Sequence, residues 1–186
     1  MIEITSDAIE RANTLLAGIP KGAERVFSLS LNRGLTRVKT QALKQVKTTY
    51  TANSAALNAE TKIKVNKASV GNLAGYVTFS GVKLPLYQFK VTPTKAGTGK
   101  QVRAAVKKGG SGTPFEDAFV AEMKNGIGVF ERTGRKRFPV EQKMGLSPAQ
   151  MVGSEEIIDK LEEEAQELVN ERIIHEMNRI LNGYGG

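Results

Sequence analysis

One stretch constrains the fold of this chain more than any other: Ala118 to Met151, reading AFVAEMKNGIGVFERTGRKRFPVEQKMGLSPAQM. Apolar residues alternate through Phe119, Ala121 and Met123, Asn125-Gly126 interrupts them, and Ile127, Val129 and Phe130 resume. Asn-Gly is the dipeptide that most readily takes the two positive φ values of a type I′ turn, so the two runs are predicted to pair as an antiparallel hairpin. Beyond Arg132 the chain becomes a basic, Gly-bearing loop, Thr133-Gly134-Arg135-Lys136-Arg137, followed by Phe138-Pro139-Val140. A Gly145-Leu146-Ser147-Pro148 turn then leads into an acidic C-terminal segment.

The remaining elements follow from periodicity. Ile4 to Ala17 reads as a short helix with Ser6 or Asp7 as its cap, ended by Gly18 and Pro20. Lys21 to about Thr49 is a longer helix with an apolar stripe of Phe27, Leu31, Leu35, Val38, Ala42 and Val46. Arg33, Arg37, Lys44 and Lys47 fall on its opposite face, as a solvated helix surface or as a stripe turned to DNA or a partner. Thr51 to Asn58 is small and polar, a linker by composition. Thr61 to Val65 alternates as a strand with Ile63 and Val65 inward and lysines outward, a pattern that also protects a sheet edge. Leu73 to Phe79, Val82 to Leu84 and Leu86 to Val91 read as further strands, with Pro85 at a bulge or edge. Gln101 to Lys107 alternates again between two Gly-rich loops, Thr92 to Lys100 and Lys108 to Gly112. Ser154 caps a closing helix that runs to about Leu181 and stops at Asn182-Gly183. Its apolar residues start on one face (Ile157, Leu161, Ala165, Leu168) and drift to another (Ile173, Met177, Ile180, Leu181), which suggests two different contact surfaces. The last residues, Gly183 to Gly186, are expected to fray.

The fold class these elements imply is α+β. It comprises an antiparallel sheet of about five or six strands, an N-terminal helical pair and a long C-terminal helix packed on the sheet. At 186 residues the chain is expected to form a single domain. Within it, 1–50 is the helical N-terminal region, 60–140 the sheet core and 154–182 the C-terminal helix.

Charge is distributed unevenly. The net charge of +8 hides an acidic end, where nine carboxylates face only Lys160, Arg172 and Arg179 from residue 155 onward, a net −6. The rest of the chain therefore carries +14. Opposite blocks of this size favour folding of one onto the other or head-to-tail contact between copies. The basic body suits a polyanion such as DNA, bound through phosphates. Arg135, Lys136 and Arg137 join Arg33, Arg37, Lys44 and Lys47 as candidate DNA- or partner-facing residues, with Lys95, Lys100, Lys107 and Lys108 beside them. No helix-turn-helix, zinc-finger or RNP-type aromatic pattern is present, so such binding would be indifferent to base sequence.

Several chemistries find no footing. There is no cysteine and one histidine, His175, so disulfides, thiolate metal sites and multi-histidine metal sites are excluded. Gly97-Thr98-Gly99-Lys100 lacks the spacing and the following helix of a phosphate-binding loop, and Gly109 to Thr113 does no better. Both read as hairpin loops. Carboxylates such as Glu116 and Asp117 have no convergent partner, the acids of the last helix are spread round its circumference, and Ser147 has no base nearby. No catalytic residue, metal or cofactor is expected, nor any membrane span.

The order of residues from Phe119 onward resembles the C-terminal half of the tailed-phage minor tail protein Z family. The matching positions are Phe119, Ala121, Met123, Gly126, Gly128, Val129, Phe130, Arg132, Arg137, Pro139, Gly145, Ser147, Gln150 and Met151. A looser likeness, including the segment Val82 to Phe89, extends along nearly the whole chain. The sequence departs from the pattern at Leu146, where a Gly-Pro-Ser turn is expected, and carries Pro148 instead. The resemblance implies a minor structural component of a phage or prophage tail. Such a part would complete the tail, help join it to the head, and act as a homo-oligomer, a ring, with other tail or neck proteins and possible double-stranded DNA as partners. It would be made in the host cytoplasm and end in the virion tail. The alternative reading is a sequence-nonspecific nucleic-acid-binding protein.

Overall fold

The computed structural model describes residues 6–124 and 126–183. The helices are α1 (Ser6–Leu15), α2 (Gly22–Thr49), α3 (Ser54–Glu60), α4 (Pro148–Val152) and α5 (Glu155–Leu181). The strands are β1 (Lys62–Asn66), β2 (Tyr76–Ser80), β3 (Lys90–Thr92), β4 (Val102–Ala105), β5 (Thr113–Phe115), β6 (Ala118–Met123), β7 (Gly126–Arg132) and β8 (Val140–Gln142). The architecture is α+β. Its strands, however, are divided among sheets of two and three strands, ordered β1-β2, β3-β4-β5 and β6-β7-β8, and do not join into one sheet of five or six.

The chain gathers into two compact units, each assembled from segments distant in sequence. One comprises Met1–Ala42, Ile63–Thr78 and Glu155–Gly186, the other Leu43–Lys62 and Phe79–Ser154.

The first unit is built on helix stripes. Ala12 and Leu16 of α1, Ala23, Val26 and Phe27 of α2, and Val169, Ile173, Met177 and Ile180 of α5 bury one another in a shared core. Each large aliphatic side chain withdrawn from water in this way contributes about 2 kcal/mol. Asn32 on α2 clamps the chain after β1, donating through Nδ2 to the Ala68 carbonyl and accepting from the Ala68 N–H, both at 2.9 Å. On α5 the buried residues Ile157, Leu161, Ala165, Val169 and Ile173 recur every fourth position, and Glu176, Met177 and Ile180 continue the line. Four residues overshoot one helical turn slightly, so this line winds slowly round the helix. This is the drift expected from the sequence; Val169 bridges its two halves, while Leu168 is half-buried and Leu181 is 46% exposed.

The second unit is held by strands and single hydrogen bonds. β3, β4 and β5 run antiparallel, Val91 opposite Ala104 and Arg103 opposite Pro114. Gly109 and Gly112 in the loop joining β4 to β5 have φ of 79° and 85°. Thr51, just past α2, donates its hydroxyl to the carbonyls of Ala105 and Val106 and accepts from the Lys90 N–H, tying the end of the helix to β3 and β4. β6 and β7 form the predicted hairpin, from Ala118 opposite Glu131 to Met123 opposite Gly126. Gly126 is thus already paired within β7. Asn125 lies outside the described residues, while Gly126 has φ 98°.

Other expectations change in detail. The presumed linker contains α3, because the Asn53 side chain accepts from the Ala55 and Ala56 N–H groups and caps a run of small residues. β2 starts at Tyr76, leaving Leu73 outside it. Val82 to Leu84 is not a strand, and Leu86–Gln88 forms a 3-10 turn after Pro85. Of the expected Leu86–Val91 strand only Lys90 and Val91 pair regularly, in β3 with Thr92. Short β5 and β8 were not anticipated. α1 begins at Ser6, so Ser6 and Asp7 sit inside its first turn. Ile4 and the last residues, 184–186, lie outside the described residues.

Candidate functional site

The hairpin and the segments packed on it hold most of the positions singled out in the sequence. Phe119 and Phe130 face each other across β6 and β7, ring centroids 6.3 Å apart and tilted by 35°. Residues two apart on a strand share a face. The guanidinium of Arg132 accordingly lies 5.0 Å from the centre of the Phe119 ring. On the other face Val129 is fully buried opposite Val120. Gly128 leaves the Phe130 ring its place, since a Cβ there would lie 2.9 Å from Phe130 Cε2 and 3.0 Å from Gln142 Nε2.

Past β7 the chain makes a cationic loop. Thr133 closes its neck by donating both its N–H and its hydroxyl to the Pro139 carbonyl, at 3.3 and 3.2 Å. Between them Arg135, Lys136 and Arg137 are exposed. The Arg137 guanidinium sits 5.7 Å from the Phe138 ring centre, and Phe138 is itself 57% exposed. Beyond the loop, Lys143 pairs with Glu131.

The Gly145 to Met151 turn is a packing device. The Leu84 N–H donates to the Leu146 carbonyl and the Gly145 N–H to the Leu84 carbonyl, at 3.2 and 2.7 Å. This lays the Leu84–Leu86 segment along residues 143–146 and seats the Phe89 ring directly on Gly145, where a Cβ would collide with it. Ser147 and Gln150 form a reciprocal capping box: Ser147 Oγ accepts from the Gln150 N–H, and Gln150 Oε1 accepts from the Ser147 N–H. Pro148 takes the first helical position, where its missing N–H costs nothing, and Met151 is fully buried. This arrangement shows how the turn closes with Leu146 in place of the expected proline.

Gly128, Val129, Phe130, Gly145, Ser147, Gln150 and Met151 are thus occupied with turning, packing or capping, whereas Arg137 stays exposed. A family model for prophage minor tail protein Z matches residues 2–184. The chain belongs to the prophage minor tail protein Z family. No curated relative and no solved structure matches it.

In this minor tail protein the candidate basic residues differ in their surroundings. On α2, Arg33, Arg37 and Lys44 are exposed and Lys47 is half-buried. Arg37 Nε lies 3.2 Å from Glu164 Oε2 of α5, which gives this cation a structural partner. Lys108 donates to the Lys47 carbonyl at 2.7 Å, next to the end of α2, where cations suit the helix dipole. Arg135, Lys136 and Arg137 stay together on their loop, with no carboxylate within 4 Å among the described residues.

Two features of the minor tail protein were missed at the level of sequence. Glu176 is buried in the line of α5, with Arg179 Nε 2.9 Å from its Oε2 and His175 Nδ1 3.8 Å from its Oε1. Arg179 lies out of line for a hydrogen bond, so the contact is an ion pair. The second feature is an order within the acids of α5, which are spread round the helix as expected. Glu155, Asp159, Glu163, Glu167 and Glu171 are all exposed and follow one another at intervals of four along the face away from the buried line. Like charges at this spacing repel by about a few tenths of a kcal/mol per pair. The spacing was present in the sequence, but exposure was needed to separate these five from their neighbours. Among the described residues there is no group of acids and histidine able to hold a metal ion, and no helix long and apolar enough to cross a membrane.

Proposed function

We propose that this protein is a structural component of a phage or prophage tail that completes the head-proximal end of the tail and helps join it to the head. It acts as several copies arranged in a ring, with neighbouring tail or neck proteins as partners, and performs no chemistry of its own. It is made in the host cytoplasm and ends in the virion. The observation that carries this reading is the family match along residues 2–184. It is supported by the way the motif positions are used: Gly128, Gly145, Ser147 and Gln150 shape the backbone and its packing, as an assembly scaffold requires.

The test is deletion of the gene from an inducible lysogen or infecting phage, followed by electron microscopy of the lysate. Unjoined heads and tails, restored to whole virions by supplying the protein in trans, are the expected result. Normal yields of complete virions without it would overturn the reading. A second reading, sequence-nonspecific binding of nucleic acid, draws on the exposed Arg135, Lys136 and Arg137 and on the basic body. It expects duplex binding that weakens steeply with salt and ignores base sequence.

A further inference from the structure

We propose that the cationic loop between Thr133 and Pro139 receives the exposed carboxylate row of α5 from a second copy of this chain. The inference rests on the reading of a multi-copy assembly part and names the surfaces through which copies meet.

Three observations support it. First, the two surfaces carry opposite charges that nothing nearby neutralises. The ion pairs of α5 engage Glu156 with Lys160, Glu164 with Arg37, and Glu176 with Arg179. Among the described residues, none of Glu155, Asp159, Glu163, Glu167 and Glu171 has a cation within 4 Å. Arg135, Lys136 and Arg137 are equally without a carboxylate. Each set holds like charges in line, and an oppositely charged partner relieves the repulsion in both.

Second, the spacings are commensurate. Successive carboxylates of the row rise by about 6 Å along the helix. The loop bends through residues 133–137, so Arg135 and Arg137 stand no more than about 7 Å apart along the backbone. The long cationic side chains of the loop can therefore reach two successive carboxylates of the row.

Third, the rim has an apolar match. Phe138 stands exposed beside Arg137, and Ile174, one turn beyond Glu171, is 55% exposed. A duplex DNA backbone would satisfy the loop but leave the α5 row and Ile174 unpartnered, so a second copy accounts for more of what is seen. Row and loop are different surfaces, so the contact is heterologous: each copy gives its row to one neighbour and accepts a row from the other. Such contacts close into a ring when the rotation permits.

The test uses the full chain and two charge reversals. One variant carries Glu163→Lys and Glu167→Lys; the other carries Arg135→Glu, Lys136→Glu and Arg137→Glu. Sedimentation velocity at low salt reads association, and far-ultraviolet circular dichroism checks folding. Wild type should self-associate, and each variant alone should do so about a hundredfold more weakly because like charges now face each other. An equal mixture of the two variants should regain wild-type association, since the reversed row meets the reversed loop and the native row meets the native loop. A wild type that stays monomeric at low salt, variants that associate as wild type does, or a mixture that fails to recover would each overturn the proposal. Loss of duplex DNA binding in the loop variant with unchanged self-association would assign the loop to nucleic acid instead. Virion yield with each variant separates the two levels: full complementation by non-associating variants removes this interface and leaves the tail-completion reading standing.

Discussion

The two compact units of the molecule reach a stable core by different means. In the helical unit the core is redundant: α1, α2 and α5 each bring several residues of a repeating apolar line. Loss of one side chain there removes burial and leaves a cavity, but neighbours on the same line still hold the helices together. In the strand unit, β3, β4, β5 and β8 have only three or four residues, and the packing turns on individual fits: the Phe89 ring on Gly145, the Phe130 ring over Gly128, the Thr51 hydroxyl, the Ser147–Gln150 box. There the cost of a substitution depends on whether that residue makes the fit, and only weakly on its size. The positions singled out in the sequence between Phe119 and Met151 all lie in the strand unit.

This contrast can be broken by measurement. The largest effect is expected for Ile173→Ala, which opens a cavity in the helical core and should lower stability by about 3–4 kcal/mol in urea unfolding. Gly145→Ala comes next. It adds a single methyl where the Phe89 ring already lies, and should cost about 2 kcal/mol through displacement of that ring. Gly134→Ala, with nothing within 4 Å of the added atom, sharpens the comparison and should stay within about 0.5 kcal/mol of wild type. Equal costs at the two glycines would refute the idea of single fits. Ser147→Ala removes one half of the capping box and is expected to cost about 1 kcal/mol, with hydrogen exchange quickening first at the start of α4. The smallest effect belongs to the helical unit again. The Arg37–Glu164 pair is partly exposed, and a double-mutant cycle with Arg37→Gln and Glu164→Gln should give a coupling of about 0.5 kcal/mol or less, falling with added salt.

The legibility of the sequence follows the same division. α2 and α5 could be placed almost to the residue, since a helical stripe is written by neighbours three and four apart and needs no knowledge of the rest of the chain. The β6–β7 hairpin was equally open, because its partners are adjacent in sequence. The small residues of α3 misled, since a capped run of Ser and Ala has the composition of a linker. The segment Val82 to Phe89 misled for a different reason: its alternation looks like a strand, yet Pro85 and the docking of Leu84 and Leu86 along residues 143–146 turn it into an irregular packed segment. Among the candidate surface residues, the basic cluster at 135–137 could be named beforehand. That Arg37 already has a carboxylate partner, and that five acids of α5 stand in an unpaired row, could not.

Local order and the sign of the charge at each end were therefore inherent in the amino-acid sequence, because they depend on spacing and composition within a few turns of chain. The identity of the residue above Gly145, the division of the strands into three small sheets, the burial of Glu176 and the choice of which charges remain unpaired emerged only on folding. They depend on close approaches between segments far apart in the chain, and no local pattern records which of many such approaches leaves the fewest voids and unsatisfied groups.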